Sequence, residues 1–214
     1  MDVSPLTLNR LSIYLRCLRR LRGEGVCQVS SQQFADRFRL SAAQIRKDLA
    51  TFGEFGIRGV GYEVEPLLRR ITELLGLDQR HALAVVGMGS LGSAFARHIG
   101  ETRGPFVVAA GFDNDPDKVG RTVGGVLVEP VSAIASTVPE RDVRIGIVAV
   151  PAAAAQEICD QLVAAGIRSV LNFAPVRLAT SEGVRTRNVD LRIYLEELVY
   201  YLVSPSRSWA SEEA

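Results

Sequence analysis

Leu8, Leu11, Tyr14, Leu15, Leu18 and Leu21 recur at spacings of three and four, which predicts a helix with one apolar face. Ser4 before Pro5 supplies an N-cap and a first helical residue, and Gly23 or Gly25 marks the end. Arg10, Arg16, Arg19, Arg20 and Arg22 fall on the other faces. Ser30 with Gln33 opens a second, short helix that turns Phe34, Ala35 and Phe38 inward. Ser41 with Gln44 repeats the capping-box pattern and opens a third, with Ile45, Leu49 and Phe52 as its inner face. Only a few residues around 39-RLS-41 separate the last two, so they form a helix-turn-helix. Gln44, Lys47, Asp48 and Thr51 share one flank of the third helix, with Arg46 nearby. Beyond it, 53-GEFGIRGVGYEV-64 alternates glycines with short β-prone runs, the pattern of a small hairpin wing with Arg58 near its tip. Residues 66–76, PLLRRITELLG, form an amphipathic connector starting at Pro66 and stopped by Gly76.

The texture then changes. Apolar strands are expected at 82–87, 106–113, 126–129, 144–150 and 168–173, separated by helices such as the Ala-rich 152–166. Continuous apolar runs of that length indicate strands buried on both faces of a parallel sheet. The fold class is therefore α/β: a winged helix-turn-helix over 1–80, a Rossmann-type parallel-sheet domain over 81–192, and a C-terminal segment over 193–214. In that segment 194-YLEELVYYLVS-204 is too apolar for a free surface helix and is expected to pack on another element or another subunit.

Charge sharpens the division. Residues 1–62 carry ten Lys and Arg against five Asp and Glu, while the remainder carries 15 against 19. A basic N-terminal part on a mildly acidic remainder suggests that only the first part meets a polyanion. No apolar stretch approaches the roughly 20 residues of a spanning helix, and no segment has the order of a secretory signal, so a cytoplasmic protein is expected. Cys17, Cys27 and Cys159 form neither a CxxC pair nor a cluster with histidine, which argues against a disulfide framework and a metal site.

The chemistry-bearing motif is Gly87-Met88-Gly89-Ser90-Leu91-Gly92, a GxGxxG. It follows an apolar strand, opens a helix, and precedes an acidic residue, Asp113, that ends the next strand 21 positions beyond Gly92. In a dinucleotide fold Gly87 permits the tight turn, Gly89 lets backbone approach a pyrophosphate, and Gly92 allows close helix–strand packing. Asp113 would accept hydrogen bonds from the adenosine ribose, favouring NAD(H) over NADP(H), although Lys118 and Arg121 leave a case for the phosphorylated form. A CoA-binding domain is the neighbouring alternative; Asp113 and the complete glycine motif argue against it. An NAD-dependent oxidoreductase would need an acid–base group near the nicotinamide. His81 begins a strand at the wrong end of the sheet, His98 lies two turns into the following helix, and Tyr194 and Asp190 are unpaired candidates. No catalytic set emerges, which points to a sensor. On the basic part, Gln44 and Arg46 have the chemistry to read base edges, Lys47 to meet phosphate, and Arg58 to enter a narrow minor groove.

The runs 44-QIRKDLATFGEFGIRGVGY-62, 86-VGMGSLGSAF-95, 112-FDNDPDKVG-120 and 168-RSVLNFAPV-176 closely resemble the Rex family of bacterial redox-sensing transcriptional repressors, over roughly residues 5–204. The resemblance implies a homodimer that binds palindromic double-stranded operator DNA, uses NADH and NAD+ as effectors, and releases DNA when NADH replaces NAD+. It implies DNA contacts from Ser31, Ser41, Gln44, Arg46, Lys47, Arg58 and Gly59. It also implies cofactor contacts from Gly87 to Gly92, Asp113, Asn114, Lys118, Val150, Pro151, Asn172, Ala174 and Pro175. The C-terminal helix would be exchanged between subunits, and Arg16, His98 and Asp190 would lie in an interdomain switch. His98 departs from the family's tyrosine at that position, placing an imidazole there.

Overall fold

Ser4 lies in extended backbone and its hydroxyl accepts the Thr7 N–H, so helix α1 begins at Pro5 and runs Pro5–Gly23. It turns Leu11, Tyr14, Leu15, Leu18 and Leu21 into the core, whereas Leu8, expected on that face, is 41% exposed. In the computed structural model, residues 3–53, 55–57 and 59–203 are described, and the chain forms two compact units that divide between Asp78 and Gln79. Arg58 and residues 204–214 lie outside the described residues.

The first unit continues with β1 (Gln28–Val29), α2 (Ser31–Phe38), α3 (Ala42–Ala50), β2 (Gly56–Ile57), β3 (Gly61–Glu63) and α4 (Val64–Leu74). Ser30 and Gln33 close the full reciprocal capping box. At the next helix only half of that box forms. Ser41 accepts the Gln44 N–H, but the Gln44 side chain turns to Asp48. The wing is a hairpin of β2 and β3, and β1 pairs antiparallel on the other side of β3. A two-residue strand such as β1 carries too little alternation to be seen in sequence. Helix α4 begins at Val64, two residues before the expected Pro66, because proline is tolerated throughout a first turn whose N–H groups lack helical acceptors. One core holds the unit together, from Tyr14 and Phe34 to Ile45, Leu49 and Ile71.

The second unit is a seven-stranded sheet with helices on its faces. Its elements are β4 (His81–Val86), α5 (Ser90–Glu101), β5 (Phe106–Asp113), β6 (Thr122–Val123), β7 (Val126–Pro130), α6 (Ile134–Glu140), β8 (Ile145–Val148), α7 (Ala152–Ala164), β9 (Ser169–Asn172), β10 (Arg185–Asn188) and α8 (Leu191–Val203). The strand order is β10-β9-β8-β4-β5-β7-β6, parallel throughout except for the short β6 at one edge. From β4 the chain winds outward through β5 and β7, then returns to build β8, β9 and β10 on the other side. That reversal opens a crevice beyond the carboxyl ends of β4 and β8. The expected strands all form; β6 and the polar edge strand β10, with sequence RTRN, were not anticipated. Two apolar layers flank the sheet, one around Phe112, Ile158 and Leu162 and the other around Val85, Ala96 and Ile147.

Asn172, expected among the cofactor contacts, is fully buried at the end of β9. Its amide nitrogen donates to the carbonyls of Ala174 and Val176 and to Asn188 Oδ1, and its Oδ1 accepts the Ala174 N–H. The side chain shapes the loop that follows β9. Asn172→Ala leaves several buried groups without partners and is expected to lower the unfolding free energy by about 2 kcal/mol. Chemical denaturation checks this; a loss well under half of that would mean that water or backbone readily replaces the amide.

Candidate functional site

The residues at the head of the crevice are held there by hydrogen bonds from the strands. Gly87 donates its N–H to Phe112 O and sits at φ 92°, a conformation open to glycine. A Cβ at Gly87 would lie 2.5 Å from Ala149 O, and one at Gly92 would lie 2.0 Å from Gly87 O. These two glycines let α5 start directly against the strand ends. Gly89 differs: a Cβ there meets nothing within 4 Å. It is the N-cap of α5, and no side chain caps that helix, so its first-turn N–H groups face the crevice without a protein acceptor of that kind. Such an end attracts an anion, with backbone able to approach closely at Gly89.

Asp113 ends β5 beside this turn and is largely buried. Its Oδ2 accepts the Met88 N–H at 2.7 Å and Lys118 Nζ at 3.2 Å, and its Oδ1 accepts the Asp115 N–H at 2.9 Å. A carboxylate has about four acceptor positions, so one remains for a ribose hydroxyl. Lys118 also pairs with Asp115 at 3.2 Å, and these two hydrogen bonds raise its pKa above the usual lysine value. Its ammonium is thus engaged by carboxylates rather than held ready for a 2′-phosphate.

A cavity of about 600 Å³ extends from the turn, within the usual range for small-molecule sites. Of the expected contacts, Gly87, Gly89, Leu91, Asp113, Asn114, Lys118, Val150 and Pro151 line it. Met88 and Ser90 instead border an adjoining depression with Ser93, Arg97 and Arg121. Gly92 is packed beneath the turn; Asn172 and Ala174 are buried and Pro175 is exposed, none of the three on the wall. Val86, Val131, Ala149, Ala154, Ile158 and Phe173 line the wall without having been expected. Several follow the carboxyl ends of β7, β8 and β9, a rule that would have found Val131, Ala149 and Phe173.

In the first unit, Arg46 and Lys47 are exposed on α3. Arg46 donates to Ser31 Oγ at 2.8 Å, tying the start of α2 to α3. Ser31, Arg46 and Gly59 border a hollow of about 810 Å³ between α3 and the wing. Ser41 is spent as the α3 N-cap, and Gln44 is partly committed to Asp48. Asp48 itself, expected on the outer flank, is 3% exposed and points inward. Its Oδ2 accepts Arg10 Nε at 2.5 Å and Tyr14 Oη at 2.9 Å; its Oδ1 accepts Arg10 Nη2 and Gln44 Nε2, both at 2.8 Å. Arg10, expected on a solvent face, was missed because nothing in its spacing marks a partner 38 positions away. Arg16 and His98 are exposed, and exposed Asp190 accepts the Arg192 N–H at the start of α8. Among the described residues no group of His, Cys, Asp and Glu is placed to hold a metal.

Comparison with known proteins places this architecture. Two family models match, a CoA binding domain over residues 78–176 and a putative DNA-binding protein N-terminus over residues 2–50. The redox-sensing transcriptional repressor Rex of Syntrophomonas wolfei is 46% identical, over 96% of this chain and 98% of its own length. The chain belongs to the Rex family of redox-sensing transcriptional repressors. Rex of Desulfitobacterium hafniense is 44% identical over 94% of this chain and 95% of its own. Among solved structures, RSP in complex with β-NAD+ and operator DNA superposes with a TM-score of 0.91 at 33% identity, covering 96% of this chain and 95% of that one. RSP in complex with β-NADH gives 0.87 at 32% identity, over 96% and 97%. The winged helix and Rossmann sheet expected from sequence are thus the Rex architecture.

Two neighbouring glycines separate the demands of folding from those of binding. Gly89→Val is expected to melt close to the parent while losing dinucleotide, since its side chain would occupy open crevice. Gly92→Ala should melt well below it, since its methyl meets backbone. Thermal melting paired with NADH fluorescence tests the contrast; equal loss of stability in both variants would refute it.

Proposed function

We propose that this chain is a transcriptional repressor that binds palindromic operator DNA through α3 and the wing and releases it when NADH replaces NAD+. The observation carrying this is the union in one chain of an uncapped glycine-turn crevice beside Asp113 with a winged helix that exposes Arg46 and Lys47. The relative RSP, solved with β-NAD+ and operator DNA and also with β-NADH, supports it. The α5 amino terminus would hold the pyrophosphate and the free acceptor position of Asp113 a ribose hydroxyl, with the apolar walls excluding water. Asn114, Lys118, Val150 and Pro151 complete the contacts, and Asn172 acts through the loop it shapes, which carries Ala174 and Pro175. The protein works as a regulator, not an enzyme.

On the DNA side, Arg46 and Gln44 read base edges, Lys47 meets phosphate, and Ser31, Ser41, Arg58 and Gly59 contribute at the edges of that face. Arg16, His98 and Asp190 are assigned to communication between the units. Among the described residues no helix is long and apolar enough to cross a membrane; we place the protein in the cytoplasm. A homodimer formed through α8, exchanged between subunits, accounts for Leu195 and Leu198 being 60% and 50% exposed. Leu195→Glu with Leu198→Glu should sediment as a monomer; a retained dimer would exclude α8 from the interface.

The match to a CoA binding domain model motivates one competing ligand. If NADH weakens operator binding by some factor, operator must weaken NADH binding by the same factor. NADH fluorescence titrations with and without operator duplex should therefore differ by the ratio found in DNA-binding assays across NADH:NAD+ mixtures. Equal NADH affinities in both conditions would sink the sensing function, and displacement of NADH by CoA at lower concentration than by NAD+ would reassign the ligand.

A further inference from the structure

Asp48 is the single acidic residue of α3, and it follows directly on Arg46 and Lys47. A carboxylate displayed there would repel the phosphates that those two cations attract. It is instead turned under the helix, where Arg10 from α1 engages both of its oxygens and Tyr14 and Gln44 each donate one more hydrogen bond. Burial alone would raise the pKa of Asp48, but hydrogen bonds from Arg10, Gln44 and Tyr14 outweigh it and hold the pKa below the ordinary carboxylate value. The group is therefore ionised at neutral pH, and its charge is met from beneath the helix. Removing the guanidinium would leave a buried carboxylate without a counter-ion, a state costly enough to drive it outward. The outward direction lies on the flank it shares with Lys47.

We propose that Arg10 is a positioning residue for operator binding, holding Asp48 beneath the recognition helix so that α3 presents Arg46 and Lys47 without a competing negative charge. The arrangement also pins α3 to α1, since the bidentate fork fixes the carboxylate in orientation as well as position. A purely mechanical pin and this electrostatic screen make different predictions. If Arg10 only braces the helix, neutralising Asp48 in its absence restores nothing. If Arg10 hides a charge, removing that charge restores DNA binding.

This rests on the operator-binding function proposed above, so the test begins with a duplex selected by the parent protein from a randomised pool. Binding is measured for the parent, Arg10→Met, Asp48→Asn and the double variant at several salt concentrations, with NADH affinity without DNA as a check on the second unit. Arg10→Met should bind about tenfold more weakly, with a log–log salt slope shallower by about 0.9, the equivalent of one phosphate contact. Asp48→Asn alone should stay within about threefold of the parent, and the double variant should recover to about that level with its slope restored. Should Arg10→Met fail to fold, Arg10→Lys serves in its place, about threefold weaker and likewise rescued by Asp48→Asn. A double variant no tighter than its Arg10 parent variant, an Arg10→Met that binds like the parent, or an Asp48→Asn that tightens binding about tenfold would each overturn the proposal. A parent that enriches no duplex would overturn the operator function itself, whereas a binding parent with insensitive variants would overturn only the role of Arg10.

Discussion

The carbonyl oxygen of Gly87 lies where a side chain on Gly92 would have to be, 2.0 Å from the Cβ that a larger residue would carry. Because hydrogen is all that fits, α5 begins against the end of β4 rather than a few ångströms above it. The rest of the crevice follows from that contact. Met88 is brought close enough to donate its N–H to Asp113, which ties the turn to the neighbouring strand end. Gly87 then stands beside Ala149, so the ends of β4 and β8 meet at the point where the sheet reverses its winding order. A pyrophosphate site at a helix amino terminus needs all three conditions: an uncapped first turn, backbone without side chains, and a neighbouring acceptor for ribose.

The same acceptor shows how local chemistry narrows ligand choice. Asp113 is bound on both oxygens by backbone N–H groups and by Lys118. A lysine with the charge to pair with a phosphorylated ribose is instead drawn to two carboxylates, and a 2′-phosphate would have to displace one of them. This geometry supports the preference for NAD(H) more firmly than the presence of an acidic residue at that spacing does. The CoA binding domain match is compatible with it, because that match spans the sheet and the glycine turn over residues 78–176 and is silent on what the turn holds.

Features of short range were legible in the sequence. The Ser4 and Ser30 caps, the apolar faces of α1 and α3, the strands of the sheet and the glycine turn each arise from neighbours a few positions apart. What escaped was long-range pairing. Helical spacing placed Asp48 beside Lys47 and Arg10 among solvent-facing arginines, and each inference followed correctly from periodicity alone. Their mutual attraction across 38 positions overrides it, drawing a charge inward that a polar pattern assigns to water. Asn172 is a parallel case: besides ending a strand at a ligand crevice, it bonds the loop that follows and Asn188 on β10, partners that spacing does not mark. Edge strands β6 and β10 were invisible for a different reason, because outer strands need no continuous apolar run.

Helix α8 leaves one physical demand unmet within a single chain. It has 13 residues and buries none of them, although Leu, Ile, Val and Tyr make up most of its length. An isolated helix of that size is marginal in water, and each Leu or Ile side chain withdrawn from solvent contributes about 1.5–3 kcal/mol. Covering even three of these residues would contribute about 5–9 kcal/mol. In the homodimer proposed above, a second copy of the chain would supply an identical apolar helix and satisfy both at once. Two-fold pairing would also set two recognition helices in a symmetric relation, which is what a palindromic operator requires. Under that proposal, the hydrophobic requirement of the last helix and the symmetry of the DNA target would have one common solution.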